Sequence, residues 1–405
     1  MFQNLQNIRQ KYPSQFWLML LGVLISSAGS SMIWPFLMIY VSGKLSLPLS
    51  TVASLITINA ATSLLSSLFA GSIADHRGRK IVMVISLITN GLIYFFMSQA
   101  NSYLTFAILM LLTGASNPLY QVGADAMLAD LIPEKERHQA YAIQRTFNNA
   151  GIAIGPAIGG FIASRSYTVA FMGAAVGMLI YGFLLIFRAK ETLHPAEQSD
   201  IANPQTKLGG YELVLKDQKY ILFVFLIAIG LIAPAMMWVL LAVYAKSNFG
   251  LSESLFGWIP TTNALMCVFL QVFVTRSTRN FSRLSVATAG MFVYAIGVGS
   301  IAFMNQFWGF WLSMVIITMG ELLLIPTTTT FVANLAPTNL RGRYMSIYWF
   351  GWGIARASAP LIGGFLNDNI SPRAIWVGGL IIGLSSTLGL LIFKQSTEKG
   401  LILSN

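Results

Sequence analysis

Twelve stretches of this 405-residue sequence are each long and apolar enough to cross a bilayer as a helix, which leaves few folds open. A hydrocarbon core of about 30 Å takes roughly 20 apolar residues as helix. The stretches run near 15–41, 47–74, 80–99, 102–129, 139–164, 167–188, 219–245, 252–275, 284–304, 307–333, 343–366 and 373–393. Lipid offers no partner to a free backbone N–H or C=O, so only helices and closed barrels span it. A barrel would show alternating segments of about ten residues, and this sequence has none. Only 10% of the residues are charged and 55% are hydrophobic, against roughly 25% charged in a soluble domain. Such a chain cannot clothe itself in polar side chains, so its solvent is lipid. The reading is an all-α membrane protein.

The net charge of +11 does not point to nucleic acid, because the basic residues sit in short clusters between apolar runs. If both termini are cytoplasmic, the inner segments hold 19 Lys and Arg and the outer loops hold 4. That bias sets the orientation, with both ends inside, and the expected location is the plasma (inner) membrane as a multi-pass protein. The polar stretch Met1–Ser14 shows no signal-peptide pattern. Cys267 alone excludes an intramolecular disulfide and a cysteine metal site, and no metal or cofactor is expected. His76, His138 and His194 fall in loops or at their edges, which leaves no histidine relay inside the membrane. No phosphate-binding Gly-Lys-Ser/Thr loop appears, so ATP is not the direct energy source.

The longest connection, residues 189–218, carries Pro195, Pro204, Gly209 and Gly210 and reads as a linker between six-span halves at 1–188 and 219–405. Shifted by 204 residues, Ala129–Ile162 falls on Ala333–Leu366 without a gap, and eleven of 34 positions agree. Pro133/Pro337, Arg137/Arg341 and Pro156/Pro360 share the register, as do Gly159-Gly160-Phe161 and Gly363-Gly364-Phe365. Membrane composition alone does not bring two prolines and an arginine into one register. A duplicated six-span unit implies two bundles about a pseudo-twofold axis, with a site between them at mid-depth.

Between spans two and three lies Gly71-Ser-Ile-Ala-Asp75-His-Arg-Gly78-Arg79-Lys80. This resembles the loop signature of the major facilitator superfamily: a Gly, an Asp four residues on, and a Gly-Arg-Arg/Lys ending. Gly71 would let two helices approach, Asp75 would face a helix N-terminus or an arginine, and Arg79 would reach a carboxylate, most naturally Asp130. The resemblance implies a latch that closes the cytoplasmic side. The second half keeps only Arg279 and Arg283 there. Span five carries Gly151, Gly155, Pro156, Gly159 and Gly160. It looks like the motif of the superfamily's proton-coupled exporters, and it also reads as a helix-packing device. Span ten holds Met319-Gly320-Glu321 and Pro326, which resembles the Gly-Glu and downstream proline of multidrug/proton antiporters. Span four lacks the arginine that drug exporters place there, so coupling at that position does not carry over.

Four ionisable residues lie well inside spans: Asp125, Arg145, Glu321 and Arg356. Such groups are functional candidates by default. Counting from the helix ends puts Glu321 and Arg356 roughly 18–20 Å deep, with Asp125 and Arg145 matched nearer the cytoplasm. We therefore expect the pairs Glu321–Arg356 and Asp125–Arg145, with Glu321 as the proton carrier. Trp34, Tyr120, Gln121, Trp238, Asn263, Tyr348 and Trp352 are candidate substrate contacts, although tryptophan and tyrosine also serve packing and interfaces. The expected partners are a small molecule, protons and the bilayer, with the chain a monomer. The favoured function is proton-coupled efflux of lipophilic, often cationic compounds by alternating access. A carrier for one sugar, amino acid or organic anion is the alternative, and a polytopic membrane enzyme or receptor is more remote.

Overall fold

The computed structural model describes residues 12–193, 211–337 and 340–402, and those residues form helices and turns with no strand. In chain order the long helices are α1 (Ser14–Leu45), α2 (Leu49–Arg77), α3 (Arg79–Gln99), α4 (Tyr103–Leu131), α5 (Glu134–Ala163) and α6 (Tyr167–Arg188). They continue as α7 (Gln218–Phe249), α8 (Glu253–Thr278), α9 (Arg283–Phe303), α10 (Phe307–Leu335), α11 (Arg341–Asn369) and α12 (Ala374–Ile402). A 3₁₀ turn at Trp34–Phe36, where Pro35 enters, interrupts α1. A six-residue helix, Tyr211–Lys216, precedes α7. Arg9, Lys11, His194 and most of the expected linker lie outside the described residues.

Among the described residues, nine helices are long and apolar enough to cross a membrane by length and composition. The other three, α4, α5 and α11, have 29, 30 and 29 residues, so length is not what sets them apart. Polar residues interrupt their apolar runs, and they hold Asp125, Arg145 and Arg356.

The repeat extends well beyond the segment in which sequence identity is visible. Helices begin at 14 and 218, 49 and 253, 79 and 283, and 103 and 307, a constant offset of 204 residues. The ends of α1/α7, α3/α9 and α4/α10 keep the same offset. Packing follows suit: α1 rests on α5 as α7 rests on α11, and α3 lies between α4 and α6 as α9 lies between α10 and α12. Local chemistry sets several of the boundaries. Ser102, Ser166, Ser252 and Ser282 each accept a hydrogen bond from a backbone N–H three residues on, capping α4, α6, α8 and α9. Gly250, at φ 66°, ends α7 in the left-handed conformation glycine favours.

Contacts divide the chain into two compact units, Met1–Leu37 with Ile58–Thr206, and Met38–Thr57 with Lys207–Asn405. The boundary differs from the expected halves because residues 38–57 cluster with the second. Within that unit Asp368 accepts the Leu49 and Ser50 backbone N–H groups at 3.2 and 2.8 Å, and Thr57 donates to the Ala357 carbonyl at 2.8 Å. Gly364 permits the approach, since a Cβ there would lie 2.5 Å from Ser50 Cα.

In the first unit the α1–α5 contact is built on glycine. Cβ atoms at Gly151, Gly155 and Gly159 would come within 2.0 Å of Ser27 Oγ, 2.0 Å of Ser31 Oγ and 2.2 Å of the Met32 carbonyl. Gly160 and Pro156 are buried on the same helix, which continues through the proline. Gly71 corrects the expectation made for it: a Cβ there would meet open space, so it brings no helices together in this structure.

Candidate functional site

The turn between α2 and α3 gathers three acidic side chains and two backbone donors around one arginine. Arg79 is 7% exposed. Its guanidinium lies 3.2 Å from Asp75, one helical turn back, and 3.3 Å from Asp130 at the end of α4. Glu191 completes the cluster by accepting the Arg79 and Lys80 backbone N–H groups, each at 3.0 Å. These are free donors of the first turn of α3, where a carboxylate is favoured by the helix dipole. Gly78 is required twice over. Its φ of 100° disfavours a side chain, and a Cβ would lie 2.4 Å from the Glu191 carboxylate.

Residues just beyond α6 strap this cluster down. Gln15 on α1 exchanges hydrogen bonds with the Lys190 backbone at 2.8 and 3.0 Å, and Thr192 donates to Asp130 at 2.8 Å. Sequence reasoning missed Glu191, Thr192 and Gln15 because residues from 189 on were read as linker. The available signal was an acidic residue three positions past a span, able to reach a helix N-terminus. The second unit holds a neutral counterpart: Arg283 binds the amide oxygen of Asn334, at the offset positions of Arg79 and Asp130. Arg279 stands where the first half has Asp75.

Replacing Arg79 by Ala leaves Asp75 and Asp130 facing each other without a cation. Both carboxylates are partly open to water, so the expected loss is modest, on the order of 1–2 kcal/mol of stability. Thermal unfolding of the purified variant beside wild type and Arg79→Lys checks this. Equal midpoints for all three would show that the ion pairs contribute nothing.

Glu321 lies midway along α10, and its neighbours come from α8, α9 and its own preceding turn. Asn263 Nδ2 donates to Glu321 Oε2 at 2.8 Å and to Thr318 Oγ1 at 3.0 Å. The Tyr294 hydroxyl is a second hydrogen-bond partner of the carboxyl. Backbone contact between α9 and α10 places Tyr294 there, since a Cβ at Gly320 would lie 2.6 Å from Tyr294 N. The expected ion pairs are not formed among the described residues. Glu321 turns toward Asn263 and Tyr294, whereas Arg356 sits on α11 beside Trp352. Matched depth leaves rotation about the helix axis open. Asp125 likewise accepts from Gln121 at 3.0 Å and from Gln144, and Tyr141 donates to its carbonyl at 3.0 Å. Gln144 and Arg145 are adjacent on α5 and point about 100° apart, so when the first faces Asp125 the second does not.

The candidate substrate contacts separate by exposure. Trp238 is open on the side of α7 away from Leu222 and Phe225. Asn263 is committed to Glu321, and Gln121 to Asp125. Tyr120 lies edge-on to Tyr181, and Trp34 opens the 3₁₀ break in α1. Tyr348 is a correction: it is 1% exposed and shares a 2.8 Å hydrogen bond with Thr328, so it packs the second unit rather than offering itself to a ligand.

Duplicated sets of helices of membrane-spanning length, with carboxylates held by neutral partners, are the architecture of a membrane carrier. The sequence profile of the Major Facilitator Superfamily matches residues 19–241 and 221–402. The chain belongs to that superfamily of secondary transporters. It is 26% identical over 370 residues to a Na(+), Li(+), K(+)/H(+) antiporter of Planococcus maritimus, covering 84% of this chain and 87% of the relative. It is 26% identical over 329 residues to multidrug resistance protein 1 of Bacillus subtilis, covering 81% and 83%. Among solved structures, a peptide transporter POT in complex with sulfate superposes with a TM-score of 0.76 at 16% identity, covering 96% and 95%. That likeness concerns the fold.

Proposed function

We propose that the protein is a proton-coupled exporter of lipophilic, cationic compounds, working by alternating access with both termini on the cytoplasmic side of the plasma membrane. The observation that carries the reading is Glu321: a mid-helix carboxyl held by Asn263 and Tyr294, with no ion-pair partner among the described residues. A carboxyl paired with an arginine is locked in its charged form, whereas one set among neutral donors is free to take up and release a proton as its surroundings change. The Arg79–Asp75–Asp130–Glu191 cluster serves as the cytoplasmic latch, opening and re-forming once per cycle. Efflux, rather than uptake of one metabolite, is supported by the named multidrug relative and by the open aromatic side chains of the second unit.

The energetics suffice. A potential of about 100 mV supplies about 2.3 kcal/mol per charge and one pH unit about 1.4 kcal/mol. Together these support roughly a 500-fold gradient of a neutral substrate at one proton each. For a monovalent cation exchanged one for one the potential drops out, and the pH gradient drives alone.

The reading is tested with wild-type protein in liposomes loaded to an acidic interior, followed by addition of a cationic rhodamine ester outside. Accumulation that collapses when a protonophore dissipates the gradient is the expected result. Dye movement indifferent to the gradient, with uptake of one sugar, amino acid or organic anion in its place, would overturn the proposal.

A further inference from the structure

Helix α11 presents three distinct faces. Phe350, Ile354, Leu361 and Phe365 form an open apolar stripe, the lipid-facing side of a spanning helix. Tyr344, Tyr348, Gly351, Ala355 and Ala359 form a packed face inside the second unit. Trp349, Trp352 and Arg356 occupy the third, spaced three and four residues apart and turned about 150° from the lipid stripe.

Two strong donors on that third face have no acceptor. Arg356 makes no hydrogen bond or ion pair with any described residue, and the indole Nε1–H of Trp352, one turn away, is buried without a partner. Arg356 lies 15 residues from the first residue of α11 and 13 from the last. Roughly 20 Å of helix on either side puts both membrane surfaces beyond the reach of an arginine side chain, so it cannot snorkel to a headgroup. A guanidinium held at mid-depth without a counter-charge is costly, and such residues mark sites where a partner arrives. A planar carboxylate answers the open guanidinium of Arg356, and the Trp349 and Trp352 rings, 5.9 Å apart, supply an aromatic surface beside it.

We propose that Arg356 and Trp352 form the acid-recognition site of the carrier, so that its preferred substrates are aromatic compounds bearing a carboxylate as well as a cationic centre. This rests on the efflux reading and adds to it: the transported cations are amphoteric.

The test uses a matched pair of dyes, a rhodamine with a free carboxylate and the methyl ester of the same rhodamine, differing in that one group. Binding to purified protein is read by fluorescence polarisation with no gradient present. Wild type is expected to bind the acid about tenfold to a hundredfold more tightly than the ester, the worth of a charge-assisted hydrogen-bonded pair. Arg356→Gln is expected to remove that preference by weakening the acid alone, with the ester within about twofold of wild type as its folding control. Arg356→Lys, keeping the charge without the fork, is expected to fall between them. Equal binding of acid and ester by wild type would overturn the proposal, as would an unchanged preference in Arg356→Gln. An equal loss of both dyes in Arg356→Gln and Arg356→Lys would assign Arg356 a structural role and also overturn it. Because binding is read without a gradient, failure of proton-driven transport would remove the efflux reading and leave this result standing.

Discussion

Glu321→Gln abolishes gradient-driven dye accumulation, taking the ratio across the liposome membrane to about one, while dye binding and dye-for-dye exchange persist. The substitution suits the site. A glutamine oxygen accepts from Asn263 as Glu321 Oε2 does, and its amide donates to the Tyr294 hydroxyl, which turns to accept. The hydrogen bonds survive, so the α8–α9–α10 packing is retained. What is lost is the ability to change charge. A permanently neutral side chain mimics the proton-loaded carrier, which still moves substrate down its own gradient but exchanges nothing for a proton. Two assays on the same vesicles decide it: accumulation under an imposed pH gradient, and counterflow with dye on both sides. Retention of full accumulation by Glu321→Gln would move the coupling group elsewhere, with Asp125, held by Gln121 and Gln144, the next to replace.

The second large effect is on folding. Gly159→Val destabilises the first unit, while Gly71→Val, in a glycine equally prominent in the sequence, is tolerated. A Cβ at Gly159 would stand 2.2 Å from the Met32 carbonyl oxygen and 2.7 Å from Met32 Cα. Those are backbone atoms and cannot rotate away, so α1 and α5 must separate along a contact that Gly155 and Gly151 continue. Overpacking of this kind costs about 1–3 kcal/mol per site, and valine's branches enlarge the clash. At Gly71 nothing lies within 4 Å of the new atom, and replacing a helical glycine recovers some of the roughly 1 kcal/mol that glycine costs a helix. Thermal unfolding of the purified proteins separates the two, with a midpoint well below wild type expected for Gly159→Val alone. Equal midpoints would mean that the α1–α5 contact is looser than its geometry.

The contrast between these glycines shows where sequence reasoning stops. Both stand in recognisable motifs, and the motif names the residue without naming the neighbour. The number of long helices, the all-α class and the duplication could be read directly, because each depends on local properties. The length of an apolar run is set by the thickness of the bilayer, and a gapless register of 204 residues reappears as matched helix starts from α1/α7 to α4/α10. The residues that matter were legible as residue types: a charge inside a span is costly wherever it points, so Asp125, Arg145, Glu321 and Arg356 stood out.

Their partners did not. Each residue turns the helix by about 100°, so depth along a span follows from counting while direction depends on how neighbouring helices pack. Only the tertiary structure placed Asn263 and Tyr294, 58 and 27 positions away in sequence, around Glu321, and Gln144 rather than Arg145 beside Asp125. It also took Tyr348 into the core, brought Glu191 to the N-terminus of α3, and left Arg356 and Trp352 side by side without an acceptor. The sequence by itself determined how many long helices form and which costly groups they carry. Helix rotation, set by close contacts such as those at Gly159 and Gly320, decided what those groups touch.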